Sequence, residues 1–81
     1  MKISTRARYG TRALLDLAMN YGKGKVMVKD IARRQQVSPR YLEQLLFTLK
    51  LAGMVKSVRG TGGGFILAKS PQEIKIIDIP I

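Results

Sequence analysis

The chain has 81 residues, enough for one domain, and its 15 Lys and Arg against 5 Asp and Glu give a net charge of +10. It contains neither cysteine nor histidine, which excludes a Cys/His zinc site, a thiol nucleophile, a Ser-His-Asp triad and a disulfide framework. With 46% apolar residues the composition is that of a folded domain, so the excess charge points to a polyanion, either nucleic acid or an anionic membrane surface.

Residues 4–21 carry helical spacing. Leu14, Leu17, Ala18 and Tyr21 sit at i, i+3, i+4 and i+7, and Ala7 and Gly10 extend the row backward. Ser4 or Thr5 is the expected N-cap, and Gly22 and Gly24 mark the stop. Arg8, Arg12 and Asp16 lie on the opposite face. Leu15 and Met19 add a second apolar strip there, either a widened core face or a contact with a partner subunit or further chain.

Val26-Met27-Val28 reads as a strand too short to stand alone. A short helix comes next, from Lys29 to Gln36, with Asp30 at the positive end of its dipole and Ile31 and Ala32 turned inward. Ser38-Pro39 then restarts a helix, Ser as N-cap and Pro in the first helical position. Leu42, Leu45, Leu46 and Leu49 give it an apolar stripe that closes at Ala52-Gly53. Two helices joined by such a turn make a helix-turn-helix.

Beyond Gly53 the period changes. Met54 to Val58 and Phe65 to Ala68 read as two strands around Arg59-Gly60-Thr61-Gly62-Gly63-Gly64, whose glycines permit a sharp hairpin tip. Ser70-Pro71 ends the second strand, and Ile74, Ile76 and Ile77 form a last apolar segment before Asp78, where a further helix would start. The expected fold is mainly α with a small β-hairpin: a winged helix-turn-helix of three helices plus a two-stranded wing.

No apolar run approaches the ~20 residues of a spanning helix, and the amino terminus lacks a signal-peptide core, so a soluble, cytosolic protein is expected. The few scattered acids do not suggest a carboxylate metal site. A domain this small, with no disulfide or metal, is expected to oligomerise.

The glycine-rich segment is not a nucleotide loop. It lacks the final glycine of the dinucleotide fingerprint and the Gly-Lys-Ser/Thr of a P-loop, and it joins two strands. It is either a plain hairpin turn or a wing that carries Arg59 into a minor groove.

Opposite the leucine stripe lie Arg40, Glu43, Gln44, Phe47 and Leu51. In the major groove Arg suits guanine, Gln suits adenine, and Glu can accept from the cytosine amino group. An acid on so basic a surface weakens phosphate binding, so Glu43 is either a base reader or a solvated charge. Ser38 and Tyr41 can donate to phosphate near the free N–H groups of that helix, although Tyr41 can equally pack against the preceding helix. Phe47 and Leu51 are expected to pack under the first helix or the wing. Lys2, Arg6, Arg8 and Arg12 form one basic group and Lys23, Lys25, Lys29, Arg33 and Arg34 a second, opposed only by Asp30.

Three stretches, Lys2 to Gly10, Ser38 to Leu46 and Gly53 to Phe65, together resemble the amino-terminal domain of the Rrf2 family of bacterial winged-helix transcriptional regulators. The likeness covers essentially the whole chain, so that residues 1–81 form one DNA-binding domain. It implies a non-enzymatic regulator that binds double-stranded DNA as a homodimer on a roughly palindromic operator. Recognition helix 38–52 would lie in the major groove and wing 59–64 in the minor groove. By this resemblance Glu43 and Gln44 read bases beside Arg40, and Arg59 reaches the minor groove. Phosphates would be held by Lys2, Thr5, Arg6, Tyr9, Ser38, Tyr41 and the wing residues Gly60, Thr61 and Gly62.

Members of the family usually continue into a long dimerisation helix, and the sensing members carry a cysteine cluster near it. The chain therefore reads as a domain that ends where its dimer helix should begin. No cofactor is expected in it, and an iron–sulfur cluster would need a cysteine-bearing carboxy-terminal region. Two other readings stay open: a protein-interaction module docking through Leu15, Met19, Phe47 and Leu51, and a structured-RNA binder.

Overall fold

Ser4 starts the first helix, its Oγ accepting a 3.0 Å hydrogen bond from the Ala7 N–H. The structure, a computed structural model, describes residues 4–60 and 63–74. Helix α1 spans Thr5–Met19 and ends where the Asn20 side chain turns back to donate to the Asp16 carbonyl at 2.9 Å. It stops two residues short of Tyr21. That tyrosine falls in the next turn and is exposed, not the core residue its spacing suggested.

Strand β1 is only Val26–Met27 and runs directly into helix α2, Val28–Gln35. Gln36 then adopts a left-handed conformation, and Val37 donates from its backbone to the Ala32 carbonyl at 3.1 Å, reversing the chain. Ser38 caps helix α3, Pro39–Leu51, by accepting from the Tyr41 N–H at 3.1 Å. Strands β2, Val55–Val58, and β3, Gly64–Leu67, form an antiparallel hairpin with Val55 opposite Leu67 and Val58 opposite Gly64. A short 3-10 turn at Pro71–Glu73 comes after the sheet.

The wing has one more strand than expected. β1 pairs antiparallel with β3, Val26 opposite Phe65 and Met27 opposite Gly64, so the sheet order is β1-β3-β2. Two residues carry too little pattern to reveal a partner so distant in the chain.

The core joins Ala13, Leu14 and Leu17 of α1, Val28, Ile31 and Ala32 of α2, and Leu42, Leu45, Leu46 and Leu49 of α3, with Val26, Val55 and Leu67 of the sheet and Met54 just before β2. The four α3 leucines have no exposed surface. Burying each contributes about 1.5–3 kcal/mol. They fill the arc of α3 that faces the core, which leaves Phe47 and Leu51 outside it at 57% and 74% exposure rather than packed under the first helix or the wing. Leu15 and Met19 are likewise 60% and 71% exposed, so the widened core face is not formed.

Asp16, expected on the polar face, is buried. It accepts from both Nε and Nη2 of Arg34, at 2.8 and 2.7 Å, a two-pronged bond that ties α1 to α2. Hydrogen bonding to Asp16 holds the Arg34 guanidinium above its ordinary pKa, against an opposing effect of burial. Arg34 therefore leaves the group of cations available to a phosphate. The adjacent Arg33 pairs weakly with Asp30 at 3.4 Å on the surface.

Replacing Arg34 by Met should strand the Asp16 carboxylate. The expected cost is about 1–3 kcal/mol in urea unfolding, less than for a fully enclosed pair because the guanidinium is half exposed. A midpoint equal to that of the wild type would show that the pair does not hold the two helices together.

Candidate nucleic-acid interface

The outward face of α3 is the complement of its inward one. With the leucine stripe sealed, the helical period turns Arg40, Glu43, Gln44 and Phe47 to solvent, and all four are exposed. A shallow groove runs between this face and the start of α1, lined by Arg6, Arg40, Glu43, Gln44, Phe47 and Thr48. A second groove separates α3 from the wing, lined by Glu43, Phe47 and Lys50 on one side and Ser57, Val58, Gly63, Gly64 and Phe65 on the other. Glu43 and Phe47 border both and so stand on the ridge between them.

Among the described residues, Arg40, Glu43 and Gln44 make no side-chain hydrogen bond or ion pair. Thr48, by contrast, spends its hydroxyl on the Gln44 carbonyl at 3.2 Å. Three unpaired polar groups of different character thus lie in one row: a fork of donors, an acceptor-only carboxylate, and an amide that both donates and accepts.

The residues expected to hold phosphates surround this row. Ser38 uses one lone pair in its cap, leaving its O–H to donate outward. The amino end of α3 offers fewer N–H groups than a bare helix. Pro39 has none and Tyr41 is capped, which leaves those of Ser38 and Arg40.

Tyr41 and Tyr9 are half-buried and meet edge to face, ring centroids 6.1 Å apart and planes at 86°, pinning the start of α3 to α1. The Arg12 guanidinium lies over the Tyr9 ring, 5.6 Å from its centroid. Tyr41 therefore packs on Tyr9 of α1 and against the core, while neither phenol hydroxyl has a hydrogen-bond partner among the described residues. Thr5 and Arg6 are exposed on the first turn of α1.

Arg59 is exposed directly after β2, with Gly60 next in the chain. Lys2, Thr61 and Gly62 lie outside the described residues.

One further cation belongs to the wing. Lys25 precedes β1, and the β1–β3 pairing lays its stem across Gly64 and its amine against Gly60. A Cβ on Gly64 would sit 2.9 Å from the Lys25 Cδ and 3.0 Å from the Val26 carbonyl oxygen, so the glycine is needed for this close approach. In the sequence Lys25 is one lysine of a loop. Only the pairing of β1 brings it to the hairpin.

No group of three His, Cys, Asp or Glu gathers among the described residues, and no helix there is long and apolar enough to cross a membrane.

Residues 3–80 match the model of the Rrf2 family, described as an iron-dependent transcriptional regulator. The chain is similar to the protein rrf2 of Nitratidesulfovibrio vulgaris, 47% identical over 98% of this chain and 53% of that protein. It is also similar to the HTH-type transcriptional regulator CymR of Bacillus subtilis, 46% identical over 98% of this chain and 57% of that one. Among solved structures, CymR of B. subtilis, the global cysteine regulator of that organism, superimposes with a TM-score of 0.92 at 44% identity, covering 98% of this chain and 61% of that one. An IscR from T. potens superimposes with a TM-score of 0.89 at 53% identity, covering 98% and 58%. The chain thus spans about half the length of the curated relatives it matches. The 81 residues offer iron no cysteine or histidine, and among the described residues no group of three acids gathers to hold it.

Gly64→Ala should press a methyl group onto the Val26 carbonyl and the Lys25 stem. Thermal unfolding is expected to show a loss of about 1–3 kcal/mol. An unchanged melting temperature would show that the close approach of β1 to β3 is not a constraint on the wing.

Proposed function

The chain belongs to the Rrf2 family of transcriptional regulators, and we propose that it is a sequence-specific DNA-binding domain that inserts α3 into the major groove and its wing into the adjacent minor groove. The row of exposed, unpaired Arg40, Glu43 and Gln44 carries this reading. A surface built for phosphate affinity alone would exclude the acid. A donor fork, an acceptor-only carboxylate and an amide that does both can discriminate base edges, with Arg40 toward guanine, Gln44 toward adenine and Glu43 toward the cytosine amino group.

Phosphates on either side are assigned to Lys2, Thr5 and Arg6 of the amino-terminal arm, to the hydroxyls of Tyr9, Ser38 and Tyr41, and to the backbone of Gly60, Thr61 and Gly62. Arg59 enters the minor groove with the Lys25 amine close by, against Gly60. One domain covers a half-site, so operator binding is assigned to a homodimer on a roughly palindromic sequence in the cytoplasm. Neither the pairing of the two copies nor the response to an effector is assigned to a residue of this domain.

A protein-docking surface built from Leu15, Met19, Phe47 and Leu51 together has less support. Leu15 and Met19 line a groove with Arg12, Asp16, Asn20, Arg34 and Gln35, and none of these residues is shared with the grooves around Phe47.

The test is selection of bound duplexes from a randomised pool, with affinities then measured by fluorescence anisotropy. Glu43→Ala should abolish the preference at one base pair per half-site while changing affinity for the selected site by less than about threefold. An unchanged base preference would remove the reader role of Glu43. Arg59→Ala should weaken binding about tenfold and lower the salt slope by about one. An enforced dimer should bind the palindrome far more tightly than the isolated domain, and equal affinities would overturn the dimeric mode.

A further inference from the structure

The exposed ring of Phe47 has no part in the base and phosphate contacts proposed for its neighbours. It is 57% exposed on the reading face, three residues beyond Gln44 and seven beyond Arg40, and it borders both grooves that flank that face. On the side toward α1 its surroundings are those of a polyanion site. Arg6, Arg40, Gln44 and Glu43 line that side, and on the other Lys50 stands beside the apolar Val28, Val58 and Phe65. A partner that fits must be strongly anionic overall and yet present one apolar spot to the ring.

The major groove of DNA meets both conditions. Its floor is mostly hydrogen-bonding edges, and the one methyl group of the four standard base edges there is the C5-methyl of thymine. We infer that Phe47 is a specificity-determining residue that packs its ring on a thymine methyl in each half-site.

The inference rests on the proposed placement of α3 in the major groove. It also locates the thymine. At ~1.5 Å rise per residue, Phe47 lies about 4.5–6 Å further along α3 than Gln44 and Glu43, which is one to two base-pair steps of ~3.4 Å. The thymine is therefore expected one to two base pairs from the position whose preference depends on Glu43.

Deoxyuridine in place of thymidine deletes that methyl and leaves every hydrogen-bonding group of the base pair in place. Each thymine of the selected duplex is replaced singly by uracil, and affinities are measured for the wild-type chain, Phe47→Ala and Phe47→Leu. For the wild type, one uracil per half-site, at the stated distance, should lower affinity about fourfold, as expected for one buried methyl group.

Phe47→Ala should bind the thymine duplex about as weakly as the wild type binds the uracil one and should not distinguish the two. Phe47→Leu should keep part of the preference. The side chain is exposed, so both variants are expected to fold, and circular dichroism checks this.

Selected duplexes whose uracil forms all bind as well as the thymine forms would overturn the inference while leaving α3 as the reading helix. So would a Phe47→Ala variant that remains methyl-sensitive, or one that weakens binding to all sequences equally. A chain that selects no sequence from the pool would overturn the DNA reading itself, and this inference with it.

Discussion

Four leucines decide which way α3 faces. Leu42, Leu45, Leu46 and Leu49 are sealed against α1, α2 and the sheet with no exposed surface. A helix turns ~100° per residue, so a slip of one position would lift leucines into water and drive Glu43 toward the core. Each leucine withdrawn would cost about 1.5–3 kcal/mol, and the displaced carboxylate would add its desolvation. The rotation of the proposed reading face is thus set by packing on the opposite side of the helix. Ser38 and Pro39 fix where the helix begins, and with that its position along the axis.

Two links hold the remaining parts in register with α3. Tyr9 against Tyr41 and Asp16 with Arg34 fasten α1 to its neighbours, so Arg6 is carried to the edge of the reading face. The two residues of β1 do the same for the wing, joining it to the chain that immediately becomes α2. The hairpin is therefore anchored to the helix-turn-helix through the tip-side end of β3, not hung from α3 alone, and Lys25 reaches it by that route.

Much of this was legible in the sequence because it is local. A cap, a proline and a stripe at helical spacing define α3, and the outward residues are found by subtraction. The glycine-rich turn between two short apolar runs likewise marks the wing. What escaped was long-range or geometric. Asp16 looks like a surface acid until Arg34, eighteen residues on, is found beside it. Tyr21 keeps the helical spacing of the core residues, but the Asn20 side chain closes the helix first. Phe47 and Leu51 were expected to find cover because large apolar residues usually do, yet the leucines had already filled the only buried arc. Lys2, Thr61 and Gly62, part of the proposed phosphate-binding set, fall outside the described residues.

The short outward row of α3 has a further consequence, one of information rather than energy. Arg40 to Phe47 spans roughly 10 Å of helix axis, about three base-pair steps. A word of three or four letters recurs by chance about once in every 64 to 256 base pairs, so even a perfect reader of that length would pause at thousands of places in a bacterial chromosome. A domain of this kind can spell only a syllable. Genomic address requires that its syllable be multiplied, by a second copy held at a set spacing or by the shape of the intervening duplex.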